Sequence, residues 1–402
     1  MTSPLKKDPS LPAIGVIGAG MVSHAYLGTI SRSSEVRLKA VSSRTMVSAA
    51  DQARRYGGLA MTTEAMLADP DISVVVNLAP PELHHQIGRA VLSAGKHLYT
   101  EKPFATSLSD AHDLIDLADR MGLKIGCAPD TFLGPGHQAA RKAVDDGVAG
   151  RIVGGSATMA SRGMEHWHPN PAFFYGRGGG PLLDIGPYAV TQLVNLLGPI
   201  ARVTAIGSAP RAHRTITSPT RAGQTLQVEI CTTVNGVLLF ESGANVALTL
   251  SWDVPQHRRP PIELYGETGT LACPDPNAFG GEVLLGRGEG DWSPVAGEAA
   301  GQGPVAAATI VSAIQTVQAG LHPATGEPIG PTSPPLFGDR RGLGLIELAR
   351  AVRQKREPRV SGRLAAHVLE VLLALQDCAE HGGDRSIASR VARPDPLSEP
   401  IP

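Results

Sequence analysis

The sequence is short of cysteine, of charge of one sign and of long apolar runs, and each shortage removes a class of protein. Its four cysteines, Cys127, Cys231, Cys273 and Cys378, lie far apart with no CxxC pair. That spacing argues against a disulfide scaffold or a zinc site and fits reduced thiols. The formal net charge is -1, so no overall field points to nucleic acid or an anionic membrane. No stretch is long and apolar enough to span a bilayer. The opening MTSPLKKDPSLP has two lysines but no apolar core behind them, unlike a signal peptide. There is no internal repeat and no low-complexity domain. The expectation is a soluble cytoplasmic protein with no membrane and no nucleic-acid partner.

What the chain does have is a globular balance, 42% hydrophobic and 18% charged over 402 residues. That length exceeds one ordinary core and predicts two domains. AIGVIG (13–18), VRLKAVSS (36–43), ISVVVNLA (72–79), KHLYTEKP (96–103) and KIGCAPD (124–130) read as buried parallel strands. Helix-like segments alternate with them: MVSHAYLGTIS, SAADQARRYG, LHHQIGRAVLSAG and SDAHDLIDLADRMG. The alternation predicts a doubly wound parallel sheet over residues 10–128.

From 129 to 390 the pattern changes. Helices expected at 135–147 and 181–197 are followed by runs such as ARVTAIGSA, TLQVEICTTV, GVLLFESG, NVALTLSWDV and PIELYGETGTLACP. Strands without helices between them predict an α/β domain with a large, mostly antiparallel open sheet. Gly/Pro-rich stretches around 286–306 and 320–338 read as surface loops. Helices return in GLIELARAVRQ and RLAAHVLEVLLALQDCAEHG, and Asp384 onward reads as a loose tail.

The first βα turn carries Gly18-x-Gly20-x-x-Ser23, with Met21 and Val22 inside it. Two glycines let backbone N–H groups approach a pyrophosphate at a helix N-terminus, and serine is small enough for the third place. Following a strand and opening a helix, the motif reads as a dinucleotide site. The second strand ends in Ser42-Ser43-Arg44, with no acid for a ribose 2′-hydroxyl. Two hydroxyls and a guanidinium suit a 2′-phosphate, so NADP is favoured over NAD.

NLAPPELHHQIGRAVLSAGKHLYTEKPFA adds Leu78, Ala79, Pro80, His84 and then Glu101-Lys102-Pro103. With GVIGAGMVS before it and GGGPLLDIGPY after it, the chain resembles the Gfo/Idh/MocA oxidoreductases along nearly its whole length. The resemblance implies a Rossmann domain, a nicotinamide cofactor, sugar-like or cyclitol substrates, and homodimers or homotetramers built on the open sheet face. It implies that Asn77 to Pro80 and His84 pass under the nicotinamide, and that Lys102 faces both nicotinamide and substrate hydroxyl.

GGGPLLDIGPYAVTQ places Asp184 and Tyr188 on one face of an expected helix. Thr191, Gln192 and Asn195 continue a polar stripe, which on a mostly apolar helix must meet partners or a cavity. Many members of the family have histidine where Tyr188 stands. The tyrosine resembles the branch of glucose–fructose oxidoreductase and dihydrodiol dehydrogenase. The expectation is Tyr188 as proton acceptor, helped by the Lys102 ammonium, with Asp184 orienting substrate hydroxyls. Arg162, His166, Trp167 and His168 read as sugar-pocket residues, and Asp130 and Thr131 as substrate contacts or caps. His166-x-His168 lacks a third ligand, so no metal is expected. Arg211, His213, Arg214 and Arg221 read as a solvated loop and a lead toward acidic sugars. Two other classes stay open: an NAD-dependent glycoside hydrolase working by transient oxidation, and a non-catalytic nucleotide sensor.

Overall fold

The structure is a computed structural model that describes residues 7–295 and 339–401. Among these, 7–130, 339–366 and 399–401 form one compact unit, and 131–295 with 367–398 form another. Of the loops expected around 286–306 and 320–338, residues 296–306 and 320–338 lie outside the described residues, while 286–295 includes a short strand, Ser293–Pro294, paired with Leu284–Gly286.

In the first unit, six strands form one parallel sheet: β1 (Ala13–Ile17), β2 (Arg37–Ser42), β3 (Leu59–Ala60), β4 (Ile72–Asn77), β5 (His97–Thr100) and β6 (Ile125–Cys127). Their order is β3-β2-β1-β4-β5-β6, the doubly wound order that reverses beside β1. β1 is buried along its whole length, because helices cover both faces of such a sheet. The helices are α1 (Ser23–Arg32), α2 (Met46–Tyr56), α3 (Thr63–Ala68), α4 (His84–Ser93) and α5 (Leu108–Met121). Thr45, Thr62 and Ser107 start α2, α3 and α5 by accepting from the backbone N–H of Ser48, Ala65 and Asp110. β3 and α3 have two and six residues, too few to show a period, so this pair escaped the sequence pattern.

Residues 339–366, which the sequence pattern groups with 129–390, lie in the first unit. The helix Leu343–Arg353 buries Leu345, Ile346 and Leu348, and its Arg350 and Arg353 grip Glu35. Gly126 bridges to Ser361 beside β6. These are contacts across the full span of the chain, invisible to a local reading.

The second unit holds α6 (Pro135–Asp145), β7 (Ile152–Ala160), α7 (Ala172–Tyr175), α8 (Gly180–Asp184) and α9 (Gly186–Leu197). Ten strands follow: β8 (Ile200–Ser208), β9 (His213–Thr215), β10 (Thr225–Gln227), β11 (Thr233–Phe240), β12 (Asn245–Ser251), β13 (Ile262–Gly266), β14 (Thr270–Cys273), β15 (Leu284–Gly286), β16 (Ser293–Pro294) and β17 (Asp384–Ser386). Nine strands make one sheet, β16-β15-β14-β13-β7-β12-β11-β8-β17, antiparallel except for the β7–β12 pair. One face buries Val203, Val234, Leu238, Val246, Leu248, Ile262 and Leu264. The opposite face leaves Ile206 80% and Val237 42% exposed. This is the period-two alternation of a sheet with one covered side.

Three expectations are corrected. The helix expected over 181–197 is two, α8 and α9, which meet at Ile185. Pro187 cannot donate a helical hydrogen bond and sits in the first turn of α9 instead. Asp184 and Tyr188 therefore lie on different helices. TLQVEICTTV divides between β10, which pairs only with β9, and β11 of the large sheet. The tail is not loose: β17 pairs with β8, Leu397 N–H donates to Gln138, and Arg141 donates to the Pro394 carbonyl at 2.5 Å.

Candidate functional site

In the first unit the candidate residues gather at the C-terminal ends of β1, β2, β4 and β5, where this topology receives ligands. Gly18 has φ +113°, and a Cβ there would stand 2.8 Å from the Leu78 carbonyl oxygen, so the turn demands glycine. Its N–H donates to the Ser42 carbonyl at 2.8 Å. A Cβ at Gly20 would meet nothing within 4 Å, and Gly20 and Met21 are exposed. The amides of Ala19, Gly20, Met21 and Val22 donate to no group among the described residues. Val22 opens α1 without a side-chain cap. A run of open amides at a helix N-terminus fits an anionic pyrophosphate, so these residues suit a dinucleotide. Ser23, in the third motif place, is buried and bonds the Gly20 carbonyl at 2.6 Å, closing the turn.

The end of β2 separates into a buried and an open part. Ser42 is 1% exposed, and its hydroxyl pairs with Thr63 at 2.8 Å. It therefore supports the turn rather than presenting a hydroxyl to phosphate. Ser43 is half-buried and Arg44 exposed.

At the ends of β4 and β5 the candidate residues interlock. Leu78 N–H donates to the Ile17 carbonyl and Ala79 N–H to Asn77 Oδ1. The Lys102–Pro103 bond is cis, and Lys102 is half-buried. Glu101 accepts from the Tyr26 hydroxyl at 2.8 Å and from the Lys102 backbone N–H at 2.9 Å. His84 is 1% exposed, with Nδ1 2.7 Å from the Pro103 carbonyl oxygen and Nε2 2.9 Å from that of Ala79. Burial raises the Tyr26 phenol, and Glu101 adds to it. The Tyr26 contact spans 75 residues and has no sequence signal.

Asp130 and Thr131 do not stand ready for substrate. Asp130 is buried, and its Oδ2 accepts from the N–H groups of Gly342 and Gly344, both at 2.8 Å. It caps the helix Leu343–Arg353, not the helix that follows it in sequence. Burial raises its carboxyl to about 6, although the two amides and Arg341 oppose the rise. Thr131 is buried in the second unit, and its hydroxyl donates to the Pro276 carbonyl at 2.7 Å.

In the second unit, Trp167 and His168 join an aromatic cluster. Trp167 and His168 ring centroids lie 5.4 Å apart, and His168 packs edge-on to Phe174 at 4.8 Å. Trp167, Phe174 and Ile185 pack on one core cluster with Tyr175 and Trp252. Burial lowers the His168 pKa, while the Asn170 amide and the Asp184 charge hold against it. Asp184 is half-buried and Tyr188 buried. His166 Nδ1 pairs with the Thr217 hydroxyl at 2.8 Å, and Arg162 is exposed.

Beneath this segment lies a charge network that the sequence reading missed. Arg214, expected in a solvated loop, is 3% exposed. Its guanidinium bonds Glu165 at 2.8 Å, the Trp252 carbonyl at 3.0 Å, and Asp253. Glu165 also accepts from the Tyr175 hydroxyl, and Asp253 from Thr232 and Thr233. Gly163, at φ +107°, lies so close that a Cβ would strike Tyr175 and Glu165. Of the expected basic loop, only Arg214 carries this role; Arg211 and His213 are exposed, and Arg221 is half-buried and bonded to Asn170. No helix among the described residues is long and apolar enough to cross a membrane.

Comparison with known proteins adds relatives. Residues 13–128 match the family model described as an oxidoreductase family with an NAD-binding Rossmann fold, and residues 137–272 match the GFO/IDH/MocA C-terminal domain. A dTDP-3,4-didehydro-2,6-dideoxy-alpha-D-glucose 3-reductase of Streptomyces violaceoruber is 30% identical over 60% of this chain and 68% of its own. An uncharacterised oxidoreductase of Schizosaccharomyces pombe is 30% identical over 35% of this chain. The match spans only 39% of that protein's length, and 38% of a second one from the same yeast. Among solved structures, an NAD-binding oxidoreductase from Klebsiella pneumoniae superposes with TM-score 0.75 at 22% identity. That superposition covers 94% of this chain and 99% of the other.

Proposed function

The chain belongs to the Gfo/Idh/MocA oxidoreductase family, and on that premise we propose that it is an NAD(P)-dependent oxidoreductase. It transfers hydride between nicotinamide and a secondary alcohol or ketone of a sugar, sugar derivative or cyclitol. The observation that carries this reading is the open amide run from Ala19 to Val22, set in the same unit as the held Lys102 turn. Such an arrangement binds a dinucleotide and offers an ammonium beside the strand ends where ligands lie.

In this reading Lys102 donates a hydrogen bond to the reacting oxygen and steadies its charge as the proton leaves. Tyr188 exchanges that proton, and Asp184 accepts from a neighbouring substrate hydroxyl. The bound nicotinamide supplies the hydride acceptor or donor. Trp167 and His168 offer ring faces to the apolar side of a sugar ring, with Arg162 and His166 at the edge. Exposed Arg44 with Ser43, and the lack of an acid after β2, favour NADP over NAD. Two copies of the chain would meet through the open face of the nine-stranded sheet, where Ile206 and Val237 are exposed.

The test begins with denaturing the purified protein and weighing any nucleotide released. NADPH binding much tighter than NADH supports the reading. Stoichiometric NAD retained through purification overturns the NADP preference and favours the hydrolase that recycles its own cofactor. Lys102→Met and Tyr188→Phe should each lower turnover on the sugar found by screening; near-normal turnover in both would sink the assigned roles. Light scattering of Ile206→Glu, expected to be monomeric, tests the sheet-face contact.

A further inference from the structure

We propose that His84 is a positioning residue, one imidazole that ties the cofactor-contacting segment at Ala79 to the turn presenting Lys102. The proposal rests on the reading of Lys102 given above and adds a residue that sets its aim.

The geometry is a closed ring of contacts around one buried side chain. His84 begins α4 and points back into the unit, with 1% of its surface exposed. Nδ1 lies 2.7 Å from the Pro103 carbonyl oxygen, and Nε2 lies 2.9 Å from the Ala79 carbonyl oxygen. Asn77 closes the ring: its Oδ1 accepts from Ala79 N–H at 3.2 Å and its Nδ2 donates to the His84 carbonyl at 3.4 Å. Its own carbonyl accepts from Glu101 N–H at 3.0 Å. Beyond Glu101, the Tyr26 hydroxyl and the Lys102 N–H hold the carboxylate. The ends of β4 and β5 are thus joined by side chains as well as by the sheet ladder, and His84 is the only one of these side chains with an arm on each segment among the contacts described.

A structural core histidine would need one acceptor and one donor around it. His84 faces two acceptors instead. A neutral imidazole has one N–H, so it can serve only one of them; the imidazolium serves both. Burial lowers the pKa of His84, opposed by the carbonyls of Pro103 and Ala79 and by the charges of Glu101 and Glu82. The balance leaves the ring short of a proton near neutrality, so one arm of the clamp is the weaker. A glutamine at this place keeps one donor group, its amide NH2, and a leucine of similar size keeps none.

The test compares wild type, His84→Gln and His84→Leu. It measures the acylation rate of Lys102 relative to the other lysines by mass spectrometry, dissociation constants for NADH and NADPH, and Tm. The expected result is graded. His84→Leu raises relative Lys102 acylation several-fold and weakens the preferred nucleotide about tenfold. His84→Gln falls between it and wild type while keeping Tm within a few degrees. Unchanged Lys102 reactivity and affinity in both variants would overturn the clamp. So would a uniform rise across all lysines with matching loss of Tm, which marks a packing role alone. Should His84→Leu fail to fold, the Gln variant decides by the same ratios. Wild type that binds neither nucleotide would remove the dinucleotide reading, while the Lys102 ratio still judges the clamp.

Discussion

Two pairs of buried acids, one pair in each unit, are held in opposite ways. In the first, Glu101 is held by a phenol and a backbone amide, and Asp130 by two backbone amides. In the second, Glu165 and Asp253 share the guanidinium of Arg214. Backbone amides stabilise a carboxylate yet bring no net charge, so at Asp130 burial still favours the proton and the carboxyl rises to about 6. An arginine brings a full charge that cannot leave, so the Glu165 and Asp253 carboxylates face a permanent opposite charge. Asp130 answers to pH; the arginine-held pair answers to the loss of one side chain.

The largest expected effect breaks the second arrangement. Arg214→Met strands two carboxylates in the interior and should cost about 3–5 kcal/mol in urea unfolding. A loss no greater than that of an ordinary surface substitution would mean that solvent, not Arg214, carries those charges. Next comes the pH response of Asp130. Its folded pKa stands above its ordinary 3.8, so the folded state binds the proton more tightly. Stability from this group is fully present below pH 3.8 and is lost as pH rises through about 6. The span is about 3 kcal/mol, and Asp130→Asn should flatten that part of the stability curve. A curve of the same shape in the variant would remove Asp130 as its source.

Smaller effects sharpen the contrast. Tyr26→Phe takes one of the bonds that hold Glu101 and should cost about 1–2 kcal/mol. Tyr175→Phe leaves Glu165 its arginine and should cost less, about 1 kcal/mol. Equal losses would say that the arginine does not cushion the second site. Last, Arg44→Ala should leave Tm unchanged and weaken NADPH about fivefold with little effect on NADH, read by fluorescence titration.

The contrast also divides what could be read in advance. Gly18, Gly20 and the Glu101-Lys102-Pro103 motif stood out in the sequence because each lies in a short motif beside a strand end, and the tight turn at Gly18 and the strand end at Glu101 lie where the pattern set them. Ser42 was misjudged because its hydroxyl turns toward Thr63, a partner from α3 that the pattern did not show. Asp130 was placed near substrate because it ends the strand series; its partners, Gly342 and Gly344, come from a helix over 200 residues later. Arg214 looked solvated in a run of four cations, and only its partners Glu165 and Asp253 make it a buried charge. The single helix over 181–197 failed at Pro187, a local signal that the apolar pattern outweighed.

By itself the sequence determined the alternation that makes a parallel sheet, the glycine turn, the Glu101-Lys102-Pro103 motif and the switch to successive strands. These depend on residues close in the chain, whose spacing is set by the helix and strand periods. Only the tertiary structure decided which buried charges are paired, where residues 339–366 belong, and what His84 and Asp130 hold. Those outcomes depend on burial and on partners distant in sequence. Whether a polar side chain faces a ligand, an amide or an opposite charge is settled only when the chain closes around it.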